Sequence, residues 1–216
     1  MHNEPRPYTL IEEICSSSIH GLGIILSIAA LVVLTTFSGL YGNSWSIVST
    51  AIFGVSMIIM YTASTLYHAI TNKHAKQILK RFDHIAIYYL IAGSYTPFML
   101  VNLRGSIGWA IFGIIWGLTF IGTLLKLVMP ANGTKIWSVL LYLIMGWMVV
   151  IALKPLVQNL PHLGLVFLVL GGIFYTLGIP FYIWKSRPYT HAVWHGFVLI
   201  GTIMHFFAVL YGCVLV

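Results

Sequence analysis

Acidic side chains are almost missing from this chain. Glu4, Glu12 and Glu13 lie within its first 13 residues, and Asp83 is the one carboxylate in all the rest. Charge of either sign is scarce: 7% of the 216 residues are charged, where a soluble domain carries roughly 25%. That scarcity excludes an ordinary soluble globule, because 59% hydrophobic residues offer more apolar surface than one soluble core hides. Cysteine is scarce too. Cys15 and Cys213 fall at opposite membrane faces in the topology below, so no disulfide framework is expected. A basic start running directly into an apolar stretch, the mark of a cleavable signal peptide, is also lacking. The first apolar helix is therefore expected to stay in the mature protein. A formal charge of +7 would suggest nucleic acid in a soluble protein. Here the basic residues fall in short breaks between apolar runs, the topogenic pattern of a membrane protein, and no nucleic-acid partner is expected.

What the chain does have is a series of long apolar runs. Seven reach the length of about 20 residues needed to cross a bilayer: 19–41, 46–67, 85–103, 107–125, 136–153, 156–184 and 190–216. None contains Lys, Arg, Asp or Glu. The breaks are short, at 42–44, 71–81, 104–105, 130–133, 154–155 and 185–188. The expected fold is an all-α integral membrane protein, a seven-transmembrane helix bundle at 19–216 behind a polar segment at 1–18. Basic residues orient it. With the N-terminus inside, the inner segments hold nine: Arg6, Lys73, Lys76, Lys80, Arg81, Lys126, Lys135, Lys185 and Arg187. The outer ones hold two, Arg104 and Lys154. The N-terminus is thus expected to be cytoplasmic and the C-terminus outside. Pro97 and Pro180 should kink or locally open their helices. Gly93, Gly171 and Gly172 allow close helix approach.

This topology gathers polar residues on the cytoplasmic side. His68 ends the second span, Asp83 and His84 open the third, and His191 and His195 open the seventh. Glu12, Glu13 and His20 stand at the start of the first. A lone Asp at membrane depth is costly unless paired or bound to a cation, so the group reads as a buried metal site with zinc as its metal. His191 and His195 are spaced i, i+4, which puts Cβ atoms about 5–6 Å apart on one helix face and suits two imidazoles gripping one ion. Alone that spacing is a weak signal. His68 as a third ligand leaves a fourth position for water, the pattern of catalytic zinc. Asp83 then orients or deprotonates that water, or is itself a ligand. Ser64, four residues before His68 on the same face, suits a substrate carbonyl or the support of a ligand. It can equally bond its own helix backbone.

The other histidines are set apart. His205 lies about 20 Å from His191 along the helix axis and is read as structural. His84 follows Asp83 directly and so points elsewhere. His2, His74 and His162 are read as solvated loop residues. The basic run 73–81 serves topology and contact with anionic lipid head groups. Tyr41, Trp45, Trp109, Trp137 and Trp184, near span ends, read as interfacial anchors.

Three motifs carry a resemblance. The first is Glu12-Glu13 followed by Ser18-Ile19-His20-Gly21. The second is Ser64-Thr65-Leu66-Tyr67-His68, then Arg81-Phe82-Asp83-His84 and Gly93-Ser94-Tyr95-Thr96-Pro97. The third is His191-Ala192-Val193-Trp194-His195 with Gly201 and His205. In these the chain resembles the hemolysin III family, the bacterial branch of the progestin and adipoQ receptor (PAQR) superfamily that includes the adiponectin receptors. The resemblance implies a seven-helix bundle in the bacterial plasma membrane with its N-terminus inside. It implies zinc held by His68, His191 and His195, with Asp83 reaching the metal directly or through water and Ser64 nearby. Relatives resemble alkaline ceramidases, so the implied activity is zinc-dependent hydrolysis of a lipid amide or ester in membrane-lipid homeostasis, with a membrane lipid as substrate. Two other functions are weighed beside it: a pore-forming cytolysin, and a sensor or receptor stabilised by zinc. The oligomeric state is left open.

Overall fold

The computed structural model describes residues 8–128, 135–184 and 186–216. Among them the chain is helical throughout, with no strand. The helices are α1 (Leu10–Tyr41), α2 (Ser44–Ala69), α3 (Lys73–Pro97), α4 (Ser106–Val128), α5 (Lys135–Trp147), α6 (Leu153–Asn159), α7 (His162–Ile183) and α8 (Thr190–Val209). A 3₁₀ turn, Met148–Ala152, joins α5 to α6, and the two cross as one span, Trp137–Asn159. π-helical turns extend α3 over Phe98–Asn102 and α8 over Leu210–Val214. Among the described residues, seven helical runs are long and apolar enough to cross a membrane.

Local chemistry sets the ends. Thr9 and Glu12 close a capping box at the start of α1. Asn43 accepts the Trp45 and Ser46 amides ahead of α2, and Asn72 accepts those of His74 and Ala75 ahead of α3. Such caps satisfy amides that have no partner within the helix. They also explain where the structure departs from the expected boundaries. α1 begins at Leu10, well before residue 19, because the capping box starts it there. The basic stretch 73–81, expected as a break, forms the first turns of α3, since Asn72 caps it and Lys, Gln, Leu and Arg are good helix formers.

The break expected at 154–155 lies inside α6. Pro155 occupies that helix's first turn, where a missing N–H loses no bond. The break falls instead before Pro161, which holds Leu160 extended at φ −100°, ψ 133°. Pro97 does open its helix: the π turn follows it directly, and the Leu103 amide reaches back to the Phe98 carbonyl at 3.0 Å. Of the two glycines expected to allow close approach on α7, Gly171 meets the His205 ring of α8, while Gly172 faces open space.

Outward faces are apolar, as at Ile25, Phe120 and Ile151. Leu34, Phe53, Tyr61, Ile115, Met145 and Leu156 are wholly inside. Interior serines and threonines donate to their own helix carbonyls, Ser27 to Gly23 and Thr50 to Ser46, each at 2.7 Å, so little hydroxyl is left unsatisfied away from water. α2 packs between α1 and α3, and α8 packs on α7 and α1. The starts of α1, α3 and α8 and the end of α2 therefore meet at one end of the bundle.

Candidate metal centre

The last turn of α2 and the first turns of α8 bring three imidazoles together. One nitrogen from each of His68, His191 and His195 lies within 4.8 Å of the others. His68 Nε2 stands 3.1 Å from His195 Nε2 and 3.3 Å from His191 Nε2. His68 and His195 are buried, and His191 is partly buried.

The unused nitrogens decide what this cluster can hold. His68 Nδ1 donates to Glu13 Oε2 at 2.5 Å, which places its proton on Nδ1 and leaves a lone pair on Nε2. Glu13 Oε1 accepts from Lys76 Nζ at 2.9 Å. His195 Nδ1 pairs with His20 Nε2 at 2.7 Å. With His195 as donor, its Nε2 also turns a lone pair inward. Lone pairs facing each other at 3.1 Å repel unless a cation sits among them. Tetrahedral zinc with bonds of about 2.0–2.1 Å separates neighbouring nitrogens by roughly 3.3–3.4 Å, close to the spacing here. A metal-ligating histidine also commonly donates its other N–H to a carboxylate or similar acceptor, as His68 does to Glu13. By donor set and spacing, and by the tautomer that Glu13 sets on His68, the three residues fit a zinc ion.

Asp83 and Ser64 stand beside this cluster. Both are buried, at 4% and 0% exposed. Asp83 lies within electrostatic reach of His68 and next to the Ser64 hydroxyl, but outside the set of converging ligand atoms. Ser64 Oγ makes no bond to its own helix backbone, the structural alternative its position allowed. His84 faces away: its Nδ1 donates to the Lys80 carbonyl at 2.6 Å, and Nε2 is 3.4 Å from the Tyr182 hydroxyl. His205 sits far along α8, edge-on to Tyr175. His74 is exposed in the first turn of α3, and His162 is exposed as the first residue of α7. His2 and Arg6 lie outside the described residues, as do residues 130–133 and Lys185.

Glu13, His20 and Lys76 complete the centre. The sequence placed Glu13 and His20 nearby but gave neither a partner. A usable signal was Thr9-x-x-Glu12, which marks a helix start. A helix from there runs unbroken past Glu13 and His20 and puts Glu12, Ser16, His20 and Gly23 on one buried stripe.

The chain is similar to known proteins along nearly its whole length. The profile described as "Haemolysin-III related" matches residues 8–206. The "Hemolysin-3 homolog" of Bacillus subtilis (strain 168) is 48% identical over 207 residues, 96% of this chain and 97% of that protein. "Hemolysin-3" of Bacillus cereus is 44% identical over 200 residues, 93% of this chain and 91% of the other. A more distant likeness joins it to the human "Monocyte to macrophage differentiation factor", 27% identical over 192 residues, 85% of this chain and 78% of that one.

Proposed function

This chain belongs to the haemolysin-III family of multi-pass cell-membrane proteins, and we propose that its three-histidine centre holds zinc and hydrolyses an amide or ester bond of a membrane lipid. The observation that carries the reading is the convergence of three imidazole nitrogens at zinc-fitting separations, with the buried acid Asp83 beside them.

His68, His191 and His195 would hold the ion, Glu13 and His20 would fix their rings, and one coordination position would stay open. Zinc supplies Lewis acidity toward a carbonyl and makes water a nucleophile at neutral pH. Asp83 takes a proton from the attacking water and returns it to the departing nitrogen or oxygen. Ser64 Oγ donates to the carbonyl oxygen as that atom gains negative charge. The water oxygen bonds to the acyl carbon, the C–N or C–O bond breaks, and a fatty acid and an amine or alcohol leave. The substrate arrives from the bilayer between the helices, which suits a role in membrane-lipid homeostasis. Lys73, Lys76, Lys80 and Arg81 on the first turns of α3 offer positive charge to anionic head groups.

The test is metal content measured by mass spectrometry on protein purified in mild detergent, followed by lipid turnover. Wild type should carry about one zinc per chain, and the His191→Ala, His195→Ala double variant none. Asp83→Ala should keep its zinc and lose hydrolysis. Folded wild type without metal, or full turnover by Asp83→Ala, would overturn the reading. Zinc that raises thermal stability with no turnover on any lipid amide or ester would leave the structural, sensor-like role.

Direct lysis is a second reading, favoured by the hemolysin names of the Bacillus relatives. Dye release from liposomes separates the two. Leakage unchanged by His68→Ala would support a metal-independent lytic activity.

A further inference from the structure

Both oxygens of Glu12 are committed, although only one commitment belongs to its own helix. Oε2 accepts the Thr9 amide at 2.8 Å and the Thr9 hydroxyl at 2.9 Å, which closes the capping box. Oε1 accepts the backbone amide of Tyr189 at 2.8 Å, from 177 residues away. Glu12 is 3% exposed. A capping glutamate works well in solvent, and burying a carboxylate is costly, so capping alone does not account for its place.

Tyr189 is the N-cap residue of α8, with φ 61° and ψ −3°. Among the described residues it is the one non-glycine with positive φ. Tyrosine enters this left-handed region only where its surroundings hold it there. Rotation at Tyr189 sets the direction of the first turn of α8, and His191 follows two residues later. The Tyr8 ring stacks on His191 at 4.8 Å and 20°. The start of α1 thus touches three points of the centre: Tyr8 on His191, Glu12 on Tyr189 and Glu13 on His68.

We propose that Glu12 is a positioning residue for the metal centre. It holds the left-handed turn at Tyr189, and so sets the height and rotation at which α8 presents His191 and His195 to His68. This rests on the metal-binding reading above. Coupling of this kind is reciprocal: metal on the histidines holds the start of α1 against α8, and loosening that start weakens the metal.

The test titrates full-length protein in detergent with Zn²⁺ and with Co²⁺, whose visible spectrum reports ligand geometry. The variants are Glu12→Ala, the milder Glu12→Gln, and Thr9→Ala, which removes the capping hydroxyl but keeps the bond to Tyr189. Glu12→Ala should bind both metals 10–100-fold more weakly, alter the cobalt spectrum and speed hydrogen exchange at the Tyr189 amide. Glu12→Gln should fall between, and it carries the test if Glu12→Ala does not fold. Thr9→Ala should lose thermal stability yet bind metal as wild type does. Wild-type affinity and spectrum in the Glu12 variants, or an equal loss in Thr9→Ala, would overturn the proposal. A wild-type chain that takes up neither metal sinks the zinc reading and this metal role together. The Tyr189 amide then still judges the brace, which fails if Glu12→Gln leaves its exchange unchanged.

Discussion

Glu13 shows how much one side chain outside the ligand set can decide. Its contact with His68 Nδ1 selects the tautomer whose other nitrogen is a donor to metal. Removing it frees the His68 ring to flip and to protonate the wrong nitrogen. Glu13→Ala should therefore weaken zinc binding by about 10–100-fold, read by competition with a chelator of known affinity. Lys76 holds the same carboxylate from a position that is partly exposed. Exposed ion pairs contribute roughly 0–1 kcal/mol, so Lys76→Ala should cost only a few-fold in the same titration. The three histidines and Asp83 were legible in the sequence because their grouping needs only helix periodicity and the alternation of span directions. The partners of Glu13 and His20 were not. Their contacts join residues 55 and 175 apart, and only tertiary packing brings such pairs together.

At the scale of helices, backbones approach closely where α7 meets the π turn that extends α8. A Cβ on Gly164 would stand 2.7 Å from Gly212 Cα, and backbone on both sides leaves nothing that moves cheaply. Gly164→Ala should destabilise the protein by about 1–3 kcal/mol, seen as a lower unfolding temperature in detergent. Gly172→Ala faces open space and should be neutral or stabilising by up to about 1 kcal/mol, since alanine is the better helix former. The number of spans could be read from apolar length alone. Their edges could not, because lysine-rich helix, as at 73–81, looks like loop to a hydropathy argument. Proline also punctuates by position: Pro155 sits where a helix tolerates it and Pro161 where it does not, a difference of register that residue type does not reveal.

The whole molecule has an outside made of lipid-facing apolar side chains and one polar end where Glu12, Glu13, His20, His68, Asp83, His191 and His195 collect. From the nine-to-two bias of Lys and Arg we propose that this end faces the cytoplasm. A reporter fused after Val216 should accordingly be active only if it works outside the cell, and one fused before Met1 only if it works inside. The reverse pattern would invert the molecule and place the centre at the outer surface. Separation along the chain also has a consequence for biosynthesis. His195 meets His68 across 127 residues and His20 across 175. The ribosome therefore delivers six spans before the last one supplies the missing imidazoles. A product that stops short of residue 195 holds at most two of the three ligands. On the metal-binding proposal, ion capture belongs to chains made past His195, and it distinguishes them from those that stop earlier.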